Sequence, residues 1–399
     1  FKQKTAYEIM PSLVGSEMCI RDRLYDFYAK THNNLHLWGI IHVQTLMSDG
    51  HSGIPDQFYT MGKEVYGWDF AAVTDHCDSY KWIQSEFAYN QYVASIFNNP
   101  PDFIGISGYE WTQGDFAEEI GVPRQGHKCI LYETDDQPFF SPADKSARSV
   151  IELSEALKKT NGLMSAHHLT RIHSGGTDFS YLDPEVEPNV EICSEWGIFE
   201  YLGNPGRIIA HGGREVTGCS VQDALALGHK LGFIAGSDSH DFCHLPNIGL
   251  TFMLLRRLSR KEIFDALRNR RVYASVGQEI FINFQLNGHI MGEEIKVKKN
   301  EVGPRKIHCE VEAPDRIVKI DIIRNNKVVY SKKVDKNRLR FDWVDHEDLS
   351  KVAFTAPFSP QPTVYYYIRV QQEGSYGRFP KMAWSSPIWI TIELSLIHI

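Results

Sequence analysis

Between Leu35 and Ser275 the chain repeats one pattern: a short apolar run with strand character that carries polar, chemically capable residues at its C-terminal end. WGIIHV, FAAVTDH, FIGISGYEW, LMSAHH, VEICSEW and LGFIAGSDSH all follow it. Segments with helical spacing separate them. ARSVIELSEALKKTN places Val150, Ile151, Leu153, Ala156 and Leu157 on one stripe and stops at Asn161-Gly162. SVQDALALGHKLG starts at the N-cap Ser220, and SRKEIFDALRNRRVY at Ser259, with Glu262 at capping-box spacing. The alternation predicts repeated βα units in an α/β fold. In such architectures the ligand site gathers where the strands end at their carboxyl side.

After Gly277 the texture changes to alternating apolar and polar residues, as in INFQLNG, KIHCEVEA, RLRFDWV and TVYYYIRVQQEG. Asn325-Asn326 marks a hairpin turn. Residues 278–393 are therefore expected to form an all-β, sandwich-like domain, following an α/β domain over residues 24–277.

Collecting the polar residues at the strand ends gives His42, Gln44, Asp49, Asp75, His76, Glu110, His127, His167, His168, Glu191, Glu195, Asp238 and His240. A lone histidine of this kind is more often a hydrogen-bonded core residue than a ligand. Their recurrence at successive strand ends points instead to a metal centre. Imidazoles and carboxylates without thiolates suit Zn, Mn or Fe in an open catalytic site. His32, His36, His51, His173, His211, His229 and His244 lie off these positions and are expected at the surface or behind the ligands. The cysteines form no CxxC pair, which argues against a zinc ribbon or a disulfide scaffold. A net charge of −8 offers no global attraction for nucleic acid or anionic lipid. No apolar run reaches the length of a membrane-spanning helix.

HVQTLMSDG, VTDH, GYEWT, GHK, AHH and GSDSH follow, in order, the motif series of the PHP (polymerase and histidinol phosphatase) superfamily, which this chain resembles. GHKLGFIAGSDSH, IFDALRNRRVYASVGQEI, NGHIMG, YYYIRVQQ and AWSSPIWI resemble its DUF3604 branch, so the likeness runs from about Leu35 to Ile390. The resemblance implies a distorted, TIM-like βα barrel with up to three divalent metals. It implies His42, Gln44, Glu110 and Asp238 at a first metal. At a second it implies Glu110 as the bridge with His127 and His167, His168 being an alternative to His167. At a third it implies Asp49, His76 and His240. Gln44 departs from the pattern, which has the second histidine of His-x-His there. An amide oxygen is a poorer zinc donor than imidazole. That departure leaves three options: a weak site, a harder ion such as Mn, or another donor.

Paired cations activate water and hold the attacking and leaving oxygens of a displacement at phosphorus. Hydrolysis of a small-molecule phosphoester is thus the expected reaction. Asp49, Glu110 and His240 are the expected catalytic groups, with Asp49 or His240 protonating the leaving oxygen if the third ion is absent. Arg171, Arg207 and Arg214 are candidate phosphate clamps. The alternatives are hydrolysis of a non-phosphate ester or amide, and a binding protein whose metal site has degenerated at Gln44. Residues 1–23 and 394–399 resemble translated sequencing-adapter DNA and are expected to be non-native, which makes any targeting signal and hence localisation unreadable.

Overall fold

The computed structural model describes residues 34–77, 84–113, 125–207, 213–241, 248–298 and 303–393. The two terminal segments expected to be non-native lie outside the described residues.

The first part of the chain forms strands β1 (Leu35–Ile40), β2 (Phe70–Val73), β3 (Ile104–Thr112), β4 (His127–Tyr132), β5 (Gly162–His167), β6 (Asn189–Ser194), β7 (Gly197–Ile198), β8 (Gly232–Ala235), β9 (Leu250–Leu255) and β10 (Val272–Ser275). Interspersed are helices α1 (Pro55–Glu64), α2 (Gln84–Ile96), α3 (Val150–Leu157), α4 (Val221–Ala226) and α5 (Arg260–Arg268). The strands hydrogen-bond in the order β9-β1-β2-β3-β4-β5-β6-β8. β1, β2 and β3 are parallel, as are β5, β6 and β8. β4 runs antiparallel to both neighbours, and β9 antiparallel to β1, so the sheet is mixed and not a pure series of βα units.

The closed barrel expected from the resemblance is not completed by hydrogen bonding, because among the described residues no ladder joins β8 to β9. Side-chain hydroxyls take its place. Thr251 Oγ1 accepts from Ala235 N at 2.9 Å and donates to Ala235 O at 2.6 Å, while Ser386 Oγ accepts from Phe233 N at 2.8 Å. The edge of β8 is thereby satisfied without a partner strand. Gly236 and Gly249 then let the two backbones pass closely, since a Cβ on Gly249 would lie 2.2 Å from Gly236 O.

Strand alternation lines the inner face with Leu37, Phe70, Ala72, Ile104, Ile106, Leu131, Leu163, Ile234 and Met253, and α5 adds Ile263, Phe264 and Leu267 to this cluster. α3 packs outside, burying Val150, Leu153, Ala156 and Leu157 while Ile151 of the expected stripe points to solvent at 52% exposure. Its cap is Ser149, with Glu152 closing the box. Ser220 and Ser259 cap α4 and α5 as expected. Glu262, however, turns its carboxylate to Arg256, which binds it through two nitrogens, so the α5 box is half made.

The remainder is β11 (Phe281–Leu286), β12 (His289–Ile290), β13 (Glu294–Lys298), β14 (Arg305–Arg324), β15 (Lys327–Asp345), α6 (Leu349–Val352), β16 (Phe354–Ala356), β17 (Ser359–Tyr376), β18 (Phe379–Ser385) and β19 (Ile388–Glu393). Asn325 and Asn326 both have positive φ, 48° and 63°, which suits the two-residue turn of the β14–β15 hairpin. β14 pairs with β11 through its first half and with β17 through its second, bending at register shifts between Glu312 and Lys319. The two parts of the chain share a sheet, since β10 pairs antiparallel with β18. They also share a core: Trp38, Phe252 and Tyr273 pack in one cluster with Phe281, Ile282 and Phe284. Buried Glu200 ties the parts together further, accepting from Trp384 Nε1, Tyr367 OH and Arg369.

Candidate metal centre

Along β3 the inner-facing residues are Ile104, Ile106, Gly108, Glu110 and Thr112, apolar at the bottom and polar at the top. The antiparallel register sets Cys129 opposite Glu110, and His127 opposite Thr112. The next register sets His167 of β5 opposite His127. Three neighbouring strands thus present Glu110, His127 and His167 on one face. The chain leaving β1 and the chain leaving β8 meet above them: Gln44 N donates to Ser239 O at 3.1 Å and Asp238 N to His42 O at 3.1 Å. Asp75 accepts from Thr45 N, Thr45 Oγ1 and Ser48 Oγ at 2.6–2.8 Å, and so clamps the turn that carries Asp49. His168 (φ 32°) and Asp238 (φ 50°) adopt left-handed backbone, strain of the kind that clusters at functional sites.

Glu110 lies at the centre with no exposed surface. Its Oε1 stands 2.7 Å from His127 Nδ1, 3.1 Å from His167 Nε2 and 3.2 Å from His76 Nδ1. Its Oε2 accepts from Gln44 Nε2 at 2.6 Å and lies 3.3 Å from His42 Nε2. The other contacts are wider than charge-assisted hydrogen bonds: His42 Nε2 to Asp238 Oδ1 3.3 Å, His167 Nδ1 to Asp238 Oδ2 3.5 Å, His76 Nε2 to Asp49 Oδ1 3.5 Å, and His240 Nε2 to Asp49 Oδ2 3.4 Å. Donors about 2.0 to 2.2 Å from a shared tetrahedral centre lie about 3.3 to 3.6 Å from one another. Those wider contacts match the spacing of ligands around one ion, while Glu110 meets His127 and Gln44 at hydrogen-bond distance.

Behind these atoms the imidazoles are anchored from their other nitrogen. His42 Nδ1 pairs with Glu191 Oε2 at 2.9 Å, His240 Nδ1 with the Asp238 carbonyl at 3.1 Å, and His168 Nδ1 with Ser174 Oγ at 3.0 Å. Such partners fix ring orientation and raise ligand basicity in metal sites. Glu195 adds a carboxylate 3.4 Å from His240 Nδ1.

The donor set fits a divalent cation on a second count. Both ring nitrogens of His167, Asp238 Oδ2 and Gln44 Oε1 are buried without a hydrogen-bond partner, a costly state unless a cation satisfies them. Among the described residues, four groups have ligand atoms close enough to share an ion: Glu110, His127, His167 and His168; Asp49, His76 and His240; His42, Glu110 and Asp238; and His42, Cys129 and His167. Cys129 escaped the sequence reading. Its signal was present, because it follows His127 by two residues on a strand and so shares its face.

Electrostatically the cluster is a balance of buried charges. Burial works against ionisation of Glu110, yet the charges of His76 and His167 and the hydrogen bond from His127 hold its carboxyl well below the usual range. Asp238 is held low in the same way by His42 and His167, against its burial. His76 is raised to about 9, the Glu110 and Asp49 carboxylates outweighing burial. His240 is raised to about 11, where hydrogen bonds to Asp49 and Glu195 outweigh burial. Without a cation both rings are therefore protonated at neutral pH, and a divalent cation bound there would have to displace those protons. Titrating divalent metal at pH 7 into the metal-free protein is expected to release protons, and apparent affinity is expected to rise as pH climbs toward 9. Calorimetry in buffers of different ionisation enthalpy checks this, and zero proton release would refute it.

A cleft of about 580 Å³ opens over the centre, its wall including His76, His127, Asp238, His240, Arg171 and Trp196. The Arg171 guanidinium stacks 3.8 Å from the centre of the Trp196 ring. Arg207 and Arg214 are exposed and lie outside the residues lining the cleft. His51, set aside in the sequence reading, does line it. His229 stacks on Phe358, away from the centre, while His32, His211 and His244 fall outside the described residues. One cleft element is held from the C-terminal part: Arg378 donates to the carbonyls of Glu195, Trp196 and Arg207 at 2.8–3.3 Å.

No family model matches the chain. It is 29% identical over 384 residues to an uncharacterized protein of Chlamydia trachomatis, covering 92% of this chain and 59% of that protein. A Chlamydia muridarum protein, also uncharacterized, is 28% identical over 375 residues, with 90% and 58% covered. The chain thus spans about three-fifths of the length of these relatives. A solved two-domain protein of Bacteroides vulgatus, containing a predicted PHP-like metal-dependent phosphoesterase, has a TM-score of 0.46 and 14% identity, over 90% of this chain and 96% of that one. Among the described residues no helix is long and apolar enough to cross a membrane.

Proposed function

We propose that this protein is a metal-dependent hydrolase of the PHP type whose reaction is the hydrolysis of a small-molecule phosphoester. The observation that carries the reading is the placement of Glu110, one carboxylate oxygen facing His76, His127 and His167 and the other facing His42 and Gln44. A carboxylate so shared would serve two cations at once. His42, Glu110 and Asp238 would hold one ion, Glu110, His127 and His167 a second, and Asp49, His76 and His240 a third. Bound cations of the Zn, Mn or Fe kind would supply the Lewis acidity that activates water at neutral pH and offsets charge on phosphoryl oxygens.

The chain's own groups supply the rest. Arg171, held flat by Trp196, offers its guanidinium to a phosphoryl group in the cleft. Asp49 and His240 face the same space, paired at 3.4 Å, and would hand a proton to the leaving oxygen where the third ion is absent. The rival reading, a binding protein with a lapsed metal site, draws on one contact: the Gln44 amide donates to Glu110 where the motif series has a histidine.

Metal-stripped protein reloaded with Zn, Mn or Fe and assayed on a panel of phosphomonoesters and phosphodiesters tests the proposal. Turnover that requires metal is expected. Metal binding without turnover of any ester, or failure to bind metal at all, would overturn the hydrolase and favour the binding protein. Within the active case, Arg171→Ala is expected to raise KM for a phosphoester roughly tenfold or more, the worth of a lost charge-assisted hydrogen bond, with a smaller change in kcat. An unchanged KM would remove Arg171 from substrate binding.

A further inference from the structure

We infer that Cys129 is a thiolate ligand of the ion held beside His42, the donor that replaces the histidine absent at position 44, and that it biases this position toward Zn over Mn. The inference rests on the reading of the cluster as a metal centre and concerns which atoms hold the ion.

Cys129 sits at the level of Glu110 on the adjacent strand, facing the same interior. Its sulfur and one nitrogen each of His42 and His167 lie within 4.8 Å of one another. All three residues are at most 2% exposed. Neither ring nitrogen of the neighbouring His167 makes a hydrogen bond, although Glu110 Oε1 and Asp238 Oδ2 stand 3.1 and 3.5 Å from them. A buried cysteine is ordinarily an inert packing residue. Three others here behave that way, with Cys309, Cys193 and Cys77 each inside an apolar cluster. Cys129 belongs to none of the four apolar clusters and stands among His42, Glu110 and Glu191 instead.

The chemistry explains the exchange at Gln44. An amide is a weak donor to Zn, and a site reduced to His42, Glu110 and Asp238 would lose selectivity along with affinity. A thiolate beside His42 and His167 would add a strong donor where position 44 offers only an amide. It is also soft, which favours Zn, Co or Fe and disfavours the hard ions Mn and Mg. On binding, the thiol proton leaves to solvent and the sulfur lone pair goes to the cation, with no change of oxidation state.

Loading the metal-free full-length chain with Co(II) reads this directly, because thiolate coordination produces an intense near-ultraviolet charge-transfer band that nitrogen and oxygen ligands lack. Wild type is expected to show the band. Cys129→Ser, which keeps the size of the side chain, is expected to lose it while still binding cobalt through the remaining groups. Its Zn affinity, measured by competition with a chelating dye, is expected to fall about 10- to 100-fold. Adding Gln44→His to Cys129→Ser is expected to recover much of that affinity without recovering the band. Cobalt bound by wild type with no such band overturns the inference and leaves the hydrolase proposal standing, and so does a band that persists in Cys129→Ser. No cobalt bound at all overturns both.

Discussion

Replacing Glu110 with Gln is expected to remove at least one bound divalent ion per chain and to lower phosphoester turnover by more than about 100-fold, the upper end of what even outer partners of metal ligands cost. The argument is electrostatic. Glu110 is fully buried and meets His76, His127, His167 and Thr112 through one oxygen and His42 and Gln44 through the other. Gln has nearly the same shape, so the strands that carry these residues keep their register. It has no charge to set against two cations and only one carbonyl oxygen to offer. Metal content by plasma emission and turnover on the same preparation check the prediction, with circular dichroism confirming the fold. Retention of both would remove Glu110 from the bridging role.

The second large effect is on stability. Lys128 points to the opposite face of β4 from His127 and Cys129, where its ammonium meets Glu187 Oε1 at 2.6 Å, with the two side chains 3% and 1% exposed. Lys128→Met is expected to destabilise the protein by about 3–5 kcal/mol, the usual consequence of stranding one charge of a buried pair. Burial already pushes the Glu187 carboxyl up, against the pull of Lys128. A carboxyl with a raised pKa disfavours the fold above that pKa and ceases to do so once protonated. The deficit of the variant is therefore expected to shrink as pH falls from 8 toward 5. Lys128→Met combined with Glu187→Leu should regain most of the loss. Denaturant melts of the three proteins at two pH values decide it, and a deficit under 1 kcal/mol for the single variant would count against the pair.

Much of the centre was legible because two periodicities coincide. Apolar runs of alternating face end in His42, Glu110, His167 and Asp238, and a strand's C-terminal end is where side chains leave the packed interior. What escaped depends on contacts between segments far apart in sequence. Thr251 closing the edge of β8 with a hydroxyl resembles any strand threonine until its partner, Ala235, is known. Arg378 reads as a turn cation after Gly377, yet it holds the carbonyls of Glu195 and Trp196, more than 180 positions away. Cys129 is the opposite case. Its strand spacing from His127 was visible, but weighing the cysteines only for CxxC pairs and disulfides passed it over.

The pairing of β1 with β9 carries a consequence for when the centre comes into being. It joins Leu35 to Leu255, and the bridge that brings His42 beside Asp238 couples residues nearly as distant. Contacts of such long range must meet the cost of closing the intervening loop before they return any stabilisation, and proteins rich in them fold slowly. A nascent chain that has reached His167 already carries most of the imidazoles but lacks the carboxylate of Asp238. The donors proposed for the second cation, Glu110, His127 and His167, are then complete in sequence, whereas those for the first and third wait for Asp238 and His240. Full metal loading would therefore wait on the long-range pairing that brings His42 beside Asp238.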